Sequence, residues 1–248
     1  MNHELLSNIE EAIKKTVPQK RIGVAFSGGV DSTLLSKILH DLGYDITLLT
    51  IGFFGSHDIL FSKKINEHMQ YPHHIMEIEP ESFEQISKTI TKKIKTENLS
   101  WNENCIAFYY VSKLAKNLEI DTVITANGID ELFCGYNSYR DVVEDGESKV
   151  LELMDSKLEN ETQMMKAVNL ISSEFAVKII QPLLSPEFIQ YAKTIPLTEK
   201  ITDSKDLIRK HAIRRLAKDV GVPEISYSKR KKALQYGTNI HKKLLKTR

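Results

Sequence analysis

With 248 residues, 41% of them apolar, the chain can bury a substantial core, as one large domain or two small ones. No apolar run reaches membrane-span length, the N-terminus lacks the apolar core of a signal peptide, and Cys105 and Cys134 are too few for a disulfide framework or a metal cluster; a cytoplasmic protein with no membrane contact and two buried thiols is expected. The formal net charge of +1 hides a division, because residues from Lys200 onward hold 15 Lys/Arg against four acids, or +11, and residues 1–199 hold −10. A basic tail of this kind reads as a solvated face, a nucleic-acid patch or a segment that closes over bound phosphates.

In chain order, Leu5, Ile9 and Ile13 share one face and predict a helix over residues 3–16, ended by Pro18. Ile22–Phe26 reads as a strand, and Ser32–Leu42 as a helix stopped by Gly43. Asp45–Phe53 is apolar on both faces, as a buried parallel strand is. Ser56–Met69 reads as a helix, His74–Ile78 as a third strand, Ser82–Lys95 and Asn104–Asn117 as helices, and Asp121–Ala126 as a fourth strand. Beyond Tyr139 no strand of comparable strength is expected, and Asp141–Glu147 reads as a loop. Helices are expected around Val150–Lys157, Glu161–Ile171, Pro186–Thr194, Ser204–Asp219 and Ile240–Leu245. The predicted fold is α/β, an open parallel sheet with helices on both faces, followed by a helical C-terminal half. The boundary is expected near residue 140, between an α/β part, 1–140, and a helical part, 141–248, as two parts or one integrated domain.

The first strand runs into Ser27-Gly28-Gly29-Val30-Asp31-Ser32 and then directly into a helix. A strand that stops at a Ser/Gly turn and feeds a helix builds an anion site. The glycines let the backbone approach closely, and the helix N-terminus directs N–H groups and partial positive charge at a phosphate. The spacing excludes the GxxxxGK[ST] loop. A carboxylate beside phosphates, here Asp31, makes sense mainly with a metal cation between them. The fourth strand runs into Asn127-Gly128-Ile129-Asp130-Glu131, which would share the same sheet edge. Asp31 and Asp130 can then hold one Mg²⁺; Asp130 and Glu131 could instead simply favour the next helix's N-terminus.

The hexapeptide resembles the SGGxDS loop of the ATP pyrophosphatase superfamily, and NGIDELFCGY resembles the G-x-G-x-DELFGGY segment of the asparagine synthetase family. The resemblance extends over nearly the whole chain. Thr50–Phe53 is similar to the strand end that passes over the adenine, Pro182–Leu184 to the family's R-x-PFLD region, Lys205–Arg209 to its K-x-x-LR helix, and Lys229–Thr238 to its R-x-K segment. It implies an adenine nucleotide alpha hydrolase-like fold. It also implies a site in which Ser27, Gly28, Gly29, Asp31, Ser32, Ile51, Gly52 and Gly128 bind ATP and Asp31 and Asp130 hold Mg²⁺. Lys231, with Lys229 or Lys232 as the alternative occupant of that place, and, more weakly, Lys205 are the implied catalytic lysines. The implied reaction is adenylation of a small-molecule carboxylate with release of pyrophosphate, then displacement of AMP by ammonia or an amine.

The chain departs from that pattern at four places. Asn127 stands where the family carries Glu or Tyr to help deprotonate the attacking nitrogen, and Asn is no base. Lys178 stands where a glutamate precedes R-x-PFLD, Ser185 replaces the final aspartate, and Lys229 replaces the arginine of R-x-K. The N-terminal cysteine and glutaminase domain of glutamine-dependent members are not matched, so ammonia is the expected nitrogen source and any glutaminase would be a separate subunit. A homodimer is compatible with this reading, and a nucleic-acid partner is not expected. The competing readings are an ATP pyrophosphatase that adenylates a tRNA base and a non-catalytic ATP-binding or regulatory subunit.

Overall fold

The computed structural model describes residues 2–229 and 234–246. Its elements are α1 (Asn2–Thr16), β1 (Arg21–Ala25), α2 (Val30–Asp41), β2 (Asp45–Gly52), α3 (His57–Met69), β3 (His73–Glu77), α4 (Pro80–Ile94), α5 (Leu99–Asn117) and β4 (Thr122–Ile124). They continue with α6 (Ile129–Leu132), α7 (Ser138–Val142), α8 (Glu147–Ser172), β5 (Lys178–Ile180), α9 (Pro186–Thr194), α10 (His211–Asp219), α11 (Glu224–Tyr227), α12 (Leu234–Gly237) and α13 (Ile240–Leu244).

The five strands form one parallel sheet in the order β3-β2-β1-β4-β5. The chain leaves β1 toward β2 and β3, then returns to add β4 and β5 on the other side. That reversal opens a crevice at the carboxyl ends of β1 and β4, where an open α/β sheet takes its ligand. Register places Val24 beside Ile124, so the loops after the two strands start side by side.

Side chains alternate across each strand, and the core divides accordingly. Ile46 and Leu48 of β2 belong to one apolar cluster with α1, α2, α9 and α10 residues; Leu49 and Ile51 belong to a second with α4, α5 and α13 residues. The sheet is thus covered by helices on both faces, as its apolar strands require. Helix α8 joins the two clusters. Its Val150, Met154 and Leu158 lie in the first, and its Met164, Met165, Val168 and Ile171 in the second.

Four local expectations are corrected. A fifth strand, β5, is present beyond Tyr139; at three residues it has no period to read and depends on pairing, with Lys178 N–H donating to Asp121 O at 2.8 Å and Thr125 N–H to Ile180 O at 3.0 Å. The two helices expected at Val150–Lys157 and Glu161–Ile171 are one helix of 26 residues. Asp141–Glu147 is not a simple loop, since α7 and a 3₁₀ turn at Val143–Asp145 lead into α8. The helix expected from Ser204 begins only at His211. Upstream, the Asp206 carboxylate accepts N–H bonds from Thr202, Ile208 and Arg209 and so holds a turn that competes with helix. Arg209 and Lys210 are left-handed, with φ of 50° and 55°, which no α-helix continues.

Candidate active site

After β1, Gly28 turns the chain with φ of +76°, a conformation open to glycine at little cost. Hydroxyls then lock the loop. Ser27 and Ser32 Oγ lie 3.3 Å apart, the Ser32 and Thr33 hydroxyls both donate to Gly29 O, and Ser226 Oγ, from α11, donates to Gly28 O at 2.8 Å. Gly29 is the N-cap of α2, so the first turn of that helix borders the crevice. An N-terminal turn in this position favours an anion.

A cavity of about 560 Å³ fills the crevice. Of the residues expected to bind ATP, Ser27, Gly29, Asp31, Ser32 and Ile51 line it. Gly28, Gly52 and Gly128 lie in the adjoining backbone and are not part of its wall. Asp31 and Asp130 both line it and converge, as two carboxylates at neighbouring strand ends should.

What they converge on is Lys210. Its ammonium lies 2.5 Å from Asp31 Oδ2 and 2.6 Å from Asp130 Oδ1, and its side chain is only 1% exposed. Burial pulls the ammonium's pKa down and the Asp31 carboxylate opposes that shift. Gly135 makes room for the triad: a Cβ there would fall 1.8 Å from Asp130 Oδ1 and 2.6 Å from Lys210 Cε. Asp31 Oδ1 is buried and, among the described residues, has no hydrogen-bond partner. An unpartnered carboxylate oxygen beside a second carboxylate is a donor set suited to Mg²⁺, which takes oxygen ligands. Asp31 and Asp130 therefore fit the expected cation.

A largely buried polar chain also lines the cavity. The Thr125 hydroxyl donates to Asn127 Oδ1, and the Asn127 amide donates to Glu161 Oε1 at 2.5 Å. Nearby, Glu131 accepts from Gly128 N–H at 3.0 Å and from the Tyr136 hydroxyl at 2.5 Å. Burial and the Glu161 charge raise the Glu131 carboxyl to about 7, against its hydrogen bonds. Burial raises Glu161 to about 6, with the Asn127 amide opposing. Two carboxyls poised near neutrality inside a cleft form a candidate proton-transfer site.

Sequence reading missed both Lys210 and Glu161. Glu161 carries a legible signal once α8 is seen as one helix. It interrupts the buried stripe Val150, Met154, Leu158, Met165, Val168 at helical spacing, where a lone acid is costly without a partner. Lys210 had no such signal, because its place depends on the turn at Asp206.

The basic segment divides. Lys205 is exposed and does not line the cavity. Lys210, Arg214 and Lys229 do, and Lys157 of α8 joins them on the cavity wall. Arg214 donates to the carbonyls of Ile208, Arg209, Tyr227 and Lys229, fastening the turn before α10 to the segment after α11. Lys229 lies 4.9 Å over the Phe61 ring. Lys231 and Lys232 lie outside the described residues; Lys229 and Leu234 on either side of that interval both border the cavity.

Comparison with known proteins adds three findings. The family model described as asparagine synthase matches residues 4–168. A Methanocaldococcus jannaschii protein carrying the provisional name of a glutamine-hydrolysing asparagine synthetase is 25% identical over 206 residues, covering 79% of this chain and 37% of its own length. The Gallus gallus glutamine-hydrolysing asparagine synthetase is 25% identical over 226 residues, covering 85% of this chain and 38% of its own. The chain thus spans little more than a third of these relatives. Among solved structures, the NMN synthetase of Francisella tularensis superposes with a TM-score of 0.50 at 15% identity, covering 95% of this chain and 75% of that one, a likeness of fold.

Proposed function

From the premise that the chain belongs to the asparagine synthase family, we propose that it is an ATP-dependent amide-forming ligase. The observation that carries this reading is one cavity whose wall includes residues of the Ser27–Ser32 loop, Asp31 and Asp130 together with Asn127, Glu131 and Glu161. A phosphate-binding turn and a proton-accepting carboxylate within one cleft suit a reaction in two halves.

In the first half, an oxygen of the acceptor carboxylate attacks the α phosphorus of ATP. The bond to the β phosphate breaks, and pyrophosphate leaves with the electron pair. The α2 N-terminus, Arg214 and Lys229 supply positive charge around the phosphates, and the sequence motif adds Lys231. Such preorganised charge counts most where negative charge develops. A Mg²⁺ held by Asp31 and Asp130 would neutralise phosphate charge.

In the second half, ammonia attacks the acyl carbon, the C–N bond forms, and the bond to AMP breaks. The nitrogen must lose a proton. Asn127 cannot take it, but Glu161, held by the Asn127 amide, can. The substitution at 127 thus turns that position from a base into an anchor for a base supplied by α8. Lys157, 5.3 Å over the Tyr136 ring on the same wall, is a cation available to the acceptor's other groups. Ammonia as nitrogen source, aspartate or another acid as acceptor, any separate glutaminase, and a homodimer all belong to this proposal.

Incubating the purified chain with ATP, Mg²⁺, ammonium and a panel of small carboxylic acids tests it. Formation of AMP, pyrophosphate and one amide in equal amounts is expected with at least one acid. ATP binding without pyrophosphate release across the panel would favour a regulatory subunit; acid-independent release stimulated by tRNA would favour base adenylation.

A further inference from the structure

Lys210 occupies the position that a cation would take between Asp31 and Asp130. The arrangement is built rather than incidental. Two successive left-handed residues, Arg209 and Lys210, present the side chain, a backbone conformation that L-residues adopt only against steric cost. Lys210 N–H donates to Lys200 O at 2.6 Å, and the Arg209 guanidinium donates to Gly135 O at 3.0 Å. Gly135 in turn leaves the gap that Lys210 Cε and Asp130 fill.

The ammonium and a divalent ion compete for the same carboxylate oxygens. With Lys210 in place the cluster carries one net negative charge, and a further two positive charges would leave it positive and at close range. A nucleotide triphosphate changes both terms. Its phosphates bring the missing negative charge, and they offer the ammonium another acceptor in the same cavity.

We infer that Lys210 is a resident counter-cation that bars a free divalent ion from the Asp31–Asp130 pair and reserves it for an ion arriving with a nucleotide triphosphate. Ordered entry follows, with metal and nucleotide binding as one unit. The inference rests on the ligase reading only in taking the nucleotide as the partner ligand.

Mn²⁺ binding to the full chain, followed by the loss of the free-ion EPR signal, tests it without any turnover. Wild type should bind Mn²⁺ at least about tenfold more tightly with α,β-methylene-ATP than without it, once the Mn²⁺ chelated by the analogue in a protein-free titration is subtracted. Without nucleotide, Lys210→Met should bind Mn²⁺ about tenfold more tightly than wild type, and adding Asp31→Asn should abolish that gain. Thermal melts establish that each variant is folded. Equal affinity of wild type with and without bound analogue overturns the inference, and that arm stands even if Lys210→Met does not fold. A folded Lys210→Met with no gain overturns it too. If the analogue does not bind wild type at all, the ligase reading fails, and the Lys210→Met titration without nucleotide still decides the role of the lysine.

Discussion

Asn127 donates its side-chain amide to Glu161 at 2.5 Å, joining the turn after β4 to the middle of α8. Its own carbonyl oxygen is held by the Thr125 hydroxyl, so the amide cannot turn over without breaking both contacts. The pair therefore fixes one carboxylate in the cavity wall. At position 127, where the family pattern has Glu or Tyr, this chain has an amide, and the carboxylate it holds in the cleft comes from 34 residues further along the chain.

Glu161→Gln should separate the two halves of the proposed reaction. ATP–pyrophosphate exchange dependent on the acceptor acid should persist, while amide formation falls by about 10²–10⁴. Equal loss of exchange and amide formation would assign Glu161 to adenylation or to structure instead. Asn127→Ala, which frees the carboxylate without removing it, should show the same pattern in weaker form.

The buried acids also predict a pH dependence of stability. Glu131 and Glu161, at about 7 and about 6, hold protons more tightly in the folded state than at their ordinary value of 4.5. Their contribution is therefore full below pH 4.5 and lost as the pH rises through 6 and 7. Thermal melts should show this part of the stability falling between about pH 5 and about pH 8. Glu131→Gln and Glu161→Gln should each flatten the fall; unchanged slopes in both would remove these carboxyls as its source.

Gly135→Ala places a methyl group against Asp130 and Lys210, and neither can yield without breaking the ion pair. A cost of about 1–3 kcal/mol is expected from such overpacking, measurable by chemical denaturation. Nucleotide binding should weaken in the same variant, because Asp130 is displaced. Wild-type stability with wild-type ATP affinity would show that the site has slack there.

Lys231→Ala concerns a residue outside the described range, and its prediction comes from the R-x-K resemblance. Turnover should fall by about 10²–10³, with a smaller change in ATP affinity, since the charge it would meet develops on departing pyrophosphate. A pure loss of affinity at unchanged kcat would make it a binding residue.

Much of the frame is legible in the sequence. Four strands and the helices between them follow from apolar runs and periodicity, and the Ser27–Ser32 turn follows from residue chemistry that few other turns share. The parallel order of the strands then brings Asp31 and Asp130 together, since both sit just beyond strand ends. The misses have different causes. β5 is too short to show a period, and the helix expected from Ser204 loses to the backbone bonds of one carboxylate, Asp206. In the first case a distant strand supplies the order, and in the second a side chain bonding its own neighbouring backbone outcompetes the helix.

The sequence by itself determined the α/β layering, the phosphate-type turn and the two strand-end aspartates, because each is encoded within a few adjacent residues. Only the tertiary structure decided that Lys210 lies between those aspartates and that Glu161 stands behind Asn127. Both placements join segments far apart in the chain, 179 residues from Asp31 to Lys210 and 34 from Asn127 to Glu161. Local pattern carries no information about such meetings; they arise when the sheet closes its order and α8 crosses from one apolar cluster to the other, bringing buried charges to the partners that make their burial tolerable.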